Sequence, residues 1–312
     1  MHLPVLLMAL LFHLGAPPST TNNETRAAAV LFERFETVFH TSPALLSAPS
    51  ADGSVDFMGE PFAYLLLGLD EAGVQARKSV LADATAVLLG TKDYLPPNGL
   101  GRTVSTRCYA VVLRQGNSIE ISRYVDKSTL LSTTGPQIWK WSASLGEFGE
   151  RDPRPSSVYA TQIGHTFILV SNNLEELKNA SEQLTALHNG PAVTGIREWD
   201  DVSHHEFWGY RKYRHDQPPA ASTTFAGTKG IKPDAEALIL YVDHKRNSGM
   251  LRLLGSKVDD GTAKSLTAEM TMPPLKPVGP GVWANIFPLA DAGPYSETPF
   301  QIMWLFGLGV AV

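Results

Sequence analysis

The chain has 312 residues, 43% of them hydrophobic and 18% charged, with a formal net charge of −5. That balance supplies a real core and excludes a disordered polymer. It also argues against a broad basic footprint for nucleic acid or anionic lipid.

The chain opens on an apolar run, Leu3 to Leu14, followed by Gly15-Ala16 and the polar stretch Pro17 to Asn23. An apolar core with a small-residue exit is the layout of a secretory signal peptide, here residues 1–16. No Lys or Arg precedes the run, and Leu14 stands where a small residue is usual. Export to a periplasmic or extracellular location is the expectation, with no membrane span in the mature chain. A dozen apolar residues are too few to cross a bilayer.

Thr25 to His40 reads as an amphipathic helix, with Leu31, Phe35, Val38 and Phe39 at helical spacing and Ser42-Pro43 to end it. Leu45 to Asp56 is a Ser-, Ala-, Pro- and Gly-rich loop. A second helix is expected from Asp70 to Leu89, where Val74, Leu81 and Leu88 recur at sevens, and Tyr94 to Gly101 is a turn-rich link. Val104–Leu113 and Ile119–Val125 then read as two strands of a hairpin. Cys108, the only cysteine, lies in the first of them. It excludes an internal disulfide or a thiolate cluster within one chain, and reads as a buried, inert thiol. Ser142 to Ser157 is a loop and the best internal boundary, giving a mixed part over 17–150 and a β-rich part over 151–312, or one continuous domain.

Val158–Ile163 and Thr166–Val170 flank Gly164-His165, a two-residue hairpin signal. Asn173 with Glu176 forms a capping pair opening a helix with Leu174, Leu177, Ala180, Leu184 and Leu187 on one face, stopped by Asn189-Gly190-Pro191. This unit, residues 158–187, resembles the strand-strand-helix units of uncharacterised exported bacterial proteins, a resemblance that transfers no functional residue. Beyond Val202 the runs are short and β-like: His205–Arg211, Glu236–Asp243, Met250–Leu254, Leu266–Met272, Val282–Pro288 and Phe300–Val310. Pro273, Pro274, Pro277 and Pro280 fall between them. The fold class that follows is α+β, antiparallel-sheet-rich, with a few amphipathic helices packed on the sheet.

Chemistry is sparse. Asp201, His204, His205, Glu206 and His215 carry donors for zinc or another divalent ion. Their spacing matches no helix signature, and a strand over His204–Lys212 would send His205 the opposite way from His204 and Glu206. Trp139 and Trp141, with Trp208 and Tyr210, are candidates for an aromatic surface that stacks on sugar or docks a protein. No serine-nucleophile elbow, dinucleotide loop or calcium loop is present, and no cofactor is implied. The expectation is an exported cell-envelope protein that binds a protein or carbohydrate partner without catalysis. The alternative is a secreted metal-assisted hydrolase built on His204, His205 and Glu206.

Overall fold

The computed structural model describes residues 22–43, 79–94, 104–123, 129–131, 136–143, 156–205, 207–213, 235–243, 248–261, 263–264 and 274–288. Their helices are α1 (Asn22–Arg34), α2 (Leu174–Asn189) and α3 (Arg197–Val202), with further helical residues at 79–82, 260–261 and 263–264. The strands are β1 (Thr37–Thr41), β2 (Ala84–Tyr94), β3 (Val104–Leu113), β4 (Thr129–Leu130), β5 (Ile138–Ala143) and β6 (Ser156–Ile163). They continue with β7 (Phe167–Ser171), β8 (Phe207–Lys212), β9 (Ala237–Asp243), β10 (Ser248–Leu254), β11 (Lys276–Gly279) and β12 (Val282–Pro288). All twelve form one sheet in the order β11-β12-β10-β9-β8-β1-β2-β3-β7-β6-β5-β4. Every neighbouring pair is antiparallel. The α+β, sheet-rich class read from the sequence is the class observed. Strands from both sides of the 150/151 division stand in this sheet, with β5 and β6 paired across it.

Both faces of the central strands are buried. Ala86, Leu88, Ala110, Val112, Leu169, Trp208 and Ile239 face α1, α2 and α3. Val87, Leu89, Tyr109, Val111, Val170, Leu240 and Leu251 face the other way, onto Val80, Leu81, Ile119, Ile121 and Ala263. That two-sided burial overturns both early helix boundaries. The first helix stops at Arg34, and residues 37–41 form β1 at mid-sheet, bonded to β2 and β8. A strand sends Val38 to the helix side and Phe39 to the opposite core, and both are buried. The expected helix over Asp70–Leu89 gives way at Ala84 to β2, where a continuous apolar run fits a strand covered on both faces. Residues 70–78 lie outside the described residues, as do 1–21, 45–56, 95–101, 266–272 and 300–310.

Three other expectations change in detail. Ile119–Val125 is not a hairpin strand over its described part: Ile121–Arg123 is a single 3-10 turn. The Gln162 side chain takes the place of a partner strand, accepting from the Ile121 N–H at 2.8 Å and donating to the Ile119 carbonyl at 2.8 Å. The β6–β7 loop has three residues, because Ile163 pairs with Phe167, and Gly164 supplies the left-handed φ of +54°. Pro277 lies inside β11, the end strand of the described sheet, the kind of edge position where proline is tolerated. Asn173 does cap α2, accepting from the Glu176 N–H at 3.1 Å. Among the described residues, no helix is long and apolar enough to cross a membrane.

Candidate functional site

Pairing of β1 with β8 sets His40 opposite Trp208 on the helix side of the sheet. α1 brings Phe32 and α3 brings Trp199 to the same place. The Trp208 indole lies nearly parallel to Phe32 (centroids 5.8 Å, 6°) and to His40 (5.4 Å, 7°). Trp199 stands edge-on to Trp208 at 5.9 Å, and Tyr210 edge-on to Phe32 at 5.4 Å. These are the offset and T-shaped arrangements that ring quadrupoles favour. Trp208 has no exposed surface and Tyr210 is buried. These two candidates for an exposed aromatic surface are therefore core residues, their rings already covered by neighbours. Trp139 is half-buried on β5 beside Leu130 and packs on the opposite core, and Trp141, also on β5, is in register with Val158 of β6.

The polar candidates fall at the end of α3. Asp201 lies in the helix, and its carbonyl accepts from the Tyr241 hydroxyl at 2.9 Å. The same hydroxyl accepts from Arg252 Nη1 at 3.0 Å. Burial raises the Tyr241 phenol above its ordinary pKa, and the Arg252 cation opposes the rise. Strand β8 begins only at Phe207, so His204 and His205 occupy the turn before it rather than the strand expected. The His204 and His205 rings are 5.6 Å apart, and His205 lies 4.1 Å from the Tyr241 ring. Glu206 and His215 lie outside the described residues. Among the described residues, no three His, Cys, Asp or Glu side chains gather as a metal ligand set.

Buried charge serves to fasten helices. The Glu176 carboxylate, at the start of α2, binds Arg34 of α1 through one oxygen and Lys92 of β2 at 2.5 Å through the other. Burial alone would raise its pKa, but hydrogen bonds from Arg34 and Lys92 hold it below the ordinary value. Glu198 of α3 behaves alike. Burial acts upward, and the Lys212 ammonium at 2.5 Å brings the net shift down. Lys212 also donates to the Phe32 carbonyl at 3.1 Å, tying β8 to α1. Cys108 is completely buried, and burial pushes its thiol up to about 12.

The helices cover β1–β3 and β6–β8. Further along the same face the sheet continues without a helix among the described residues. Cross-strand rungs run Trp208–Tyr241–Met250–Ile286 and Tyr210–Ile239–Arg252–Ala284–Lys276. Burial falls along the first rung, from a fully enclosed Trp208 through a half-buried Met250 to an Ile286 that is 67% exposed. On the outermost strand, Val278 is 63% exposed.

No protein-family profile matches the chain, and no curated protein matches it. Among solved structures, crystal form I of TP0453, a Treponema protein, is similar with a TM-score of 0.47 at 11% identity. The match covers 90% of this chain and 96% of that one. Crystal form IV gives 0.46 at 11% identity, covering 84% and 93%.

Sequence reasoning missed Tyr241, Met250, Arg252 and Ile286. The alternation in β10, with Leu251 and Leu253 buried and Met250, Arg252 and Leu254 half-buried, is readable as a two-faced strand. Which of its faces α1 to α3 cover is not, because that depends on where those helices land.

Proposed function

We propose that the chain is an exported, non-catalytic cell-envelope protein that works by binding a partner. The observation that carries the reading is the exposed apolar end of the sheet, where Ile286 and Val278 keep most of their surface in water. Large apolar side chains left in water at the end of a sheet favour an interaction site there. The carboxylates of the buried Glu176 and the half-buried Glu198 support it, since each is tied to a cation that anchors a helix. The apolar run Leu3–Leu14 supports export.

Two measurements test this. Mass spectrometry of the protein recovered from envelope and soluble fractions should find the chain outside the cytoplasm and shortened near residue 16. Retention in the cytoplasm with Met1 in place would overturn export. A screen against ester, glycoside and peptide substrates should show no turnover. Turnover that is lost on alanine replacement of Asp201 or His204 would replace the binding role with hydrolysis.

A further inference from the structure

We infer that the β9–β10–β12–β11 end of the helix-side face docks an amphipathic α-helix of a partner protein, one with an apolar stripe and acidic residues along its rim. The inference rests on the binding role proposed above and names its partner class.

The shape argues for a helix. This face already packs α1, α2 and α3 across its other half, and Met250 and Leu254 join the same core cluster at its margin. Beyond them, Leu254 pairs with Val282, Arg252 with Ala284 and Met250 with Ile286, so this half-buried strip, with Ile286 as its exposed member, is apolar apart from Arg252 and, on β11, Lys276. Strands stand about 4.8 Å apart. The three strands from β10 to β11 therefore offer a strip roughly 10–14 Å wide, which matches the 10–12 Å diameter of one helix.

The charge argues for acid on the incoming helix. Arg252 is half-buried; it donates to the Tyr241 hydroxyl at 3.0 Å and sits 5.9 Å over that ring. No carboxylate pairs with it among the described residues. Lys276, exposed on the same rung across Ala284, likewise has no ion-pair partner among them. The cations at Arg34, Lys92 and Lys212 each meet a carboxylate that fastens a helix, whereas Arg252 and Lys276 meet none among the described residues. A guanidinium partly withdrawn from water gains most from a carboxylate that arrives with the helix and is desolvated with it.

The test uses the full chain and two fluorescein-labelled helical peptides, each about 18 residues or roughly five turns long. Both carry one Leu stripe at i, i+3, i+4 and i+7; Glu flanks the stripe in one and Lys in the other. By anisotropy the Glu peptide should bind, and the Lys peptide at least about tenfold more weakly. Ile286→Asp should weaken the Glu peptide at least about tenfold, with the circular dichroism and melting of the chain unchanged because position 286 is on the surface. Lys276→Glu, also exposed, should narrow the Glu-over-Lys preference, and Arg252→Glu should reverse it. Absence of binding, equal binding of the two peptides, or indifference to Ile286→Asp would overturn the inference. So would self-association abolished by Ile286→Asp, which gives the face to a second copy, or Ile286-dependent flotation with lipid vesicles, which gives it to a membrane. A photo-crosslinker at position 286 that captures only residues 289–312 of its own chain would overturn it too. Each of these results leaves export and the absence of turnover to their own measurements.

Discussion

Replacing Glu176 with Gln removes one negative charge from between two cations while keeping side-chain shape and the Asn173 cap at the backbone. Glu176 is 8% exposed, against 22% for Arg34 and 34% for Lys92. Breaking a fully buried pair costs about 3–5 kcal/mol. Here both cations reach water once released, and Gln still offers one oxygen to one of them. The discounted loss is about 1.5–3 kcal/mol at pH 7. The pH dependence fixes the sign. The folded-state pKa of Glu176 lies below its ordinary value of 4.5, so the stabilisation is complete above that value and fades as pH falls through the folded pKa. Urea unfolding followed by tryptophan fluorescence should therefore show wild type and Glu176→Gln well separated at pH 7 and drawing together as pH falls below the ordinary carboxyl value of 4.5. A variant within about 0.5 kcal/mol of wild type at pH 7 would refute the reasoning. A gap that stays constant down to pH 3 would show that packing, not charge, is responsible.

Gly90→Val should destabilise by about 1–3 kcal/mol or more, since a Cβ there would sit 2.5 Å from Cδ2 of the fully buried Phe35; an unchanged melting temperature would show that the ring can move aside. Gln162→Leu should cost about 1–3 kcal/mol by leaving the Ile121 N–H and Ile119 carbonyl without their partner. Hydrogen exchange at the Ile121 amide should quicken with it, and unaltered protection would count against the bridging role. Cys108 should resist a thiol reagent at pH 8 until denaturant is added, because the thiol is enclosed and pushed up to about 12; prompt labelling of the native chain would contradict its placement.

Much of the scaffold is legible in residue order. β3, β9, β10 and β12 follow their apolar runs, and the β6–β7–α2 unit carries its own signals in Gly164, Asn173 and Gly190. Residues 37–41 and 84–89 escape because a strand buried on both faces shows no alternation, and a run such as Ala84 to Leu89 suits helix or strand equally. Glu176 fits a capping box by spacing, yet its side chain leaves the cap and reaches Arg34 and Lys92, partners 142 and 84 residues away. The aromatic candidates divide for a similar reason. Trp208 and Trp139 look alike in sequence, and only the arrival of Phe32, His40 and Trp199 around it closes the first.

The sequence by itself determines an apolar opening run, a modest acidic charge, a single inert thiol and a body rich in short strands. Those follow from composition and local periodicity, which need no partner in space. Tertiary structure decides which strands stand at mid-sheet, which indoles are sealed and, among the described residues, which strands the helices cover. Those outcomes depend on pairings such as His40 with Trp208 and Met250 with Ile286, made between segments far apart in the chain. Among the described residues three helices cover part of a twelve-stranded sheet, and the strands beyond their reach carry Ile286, Arg252 and Lys276.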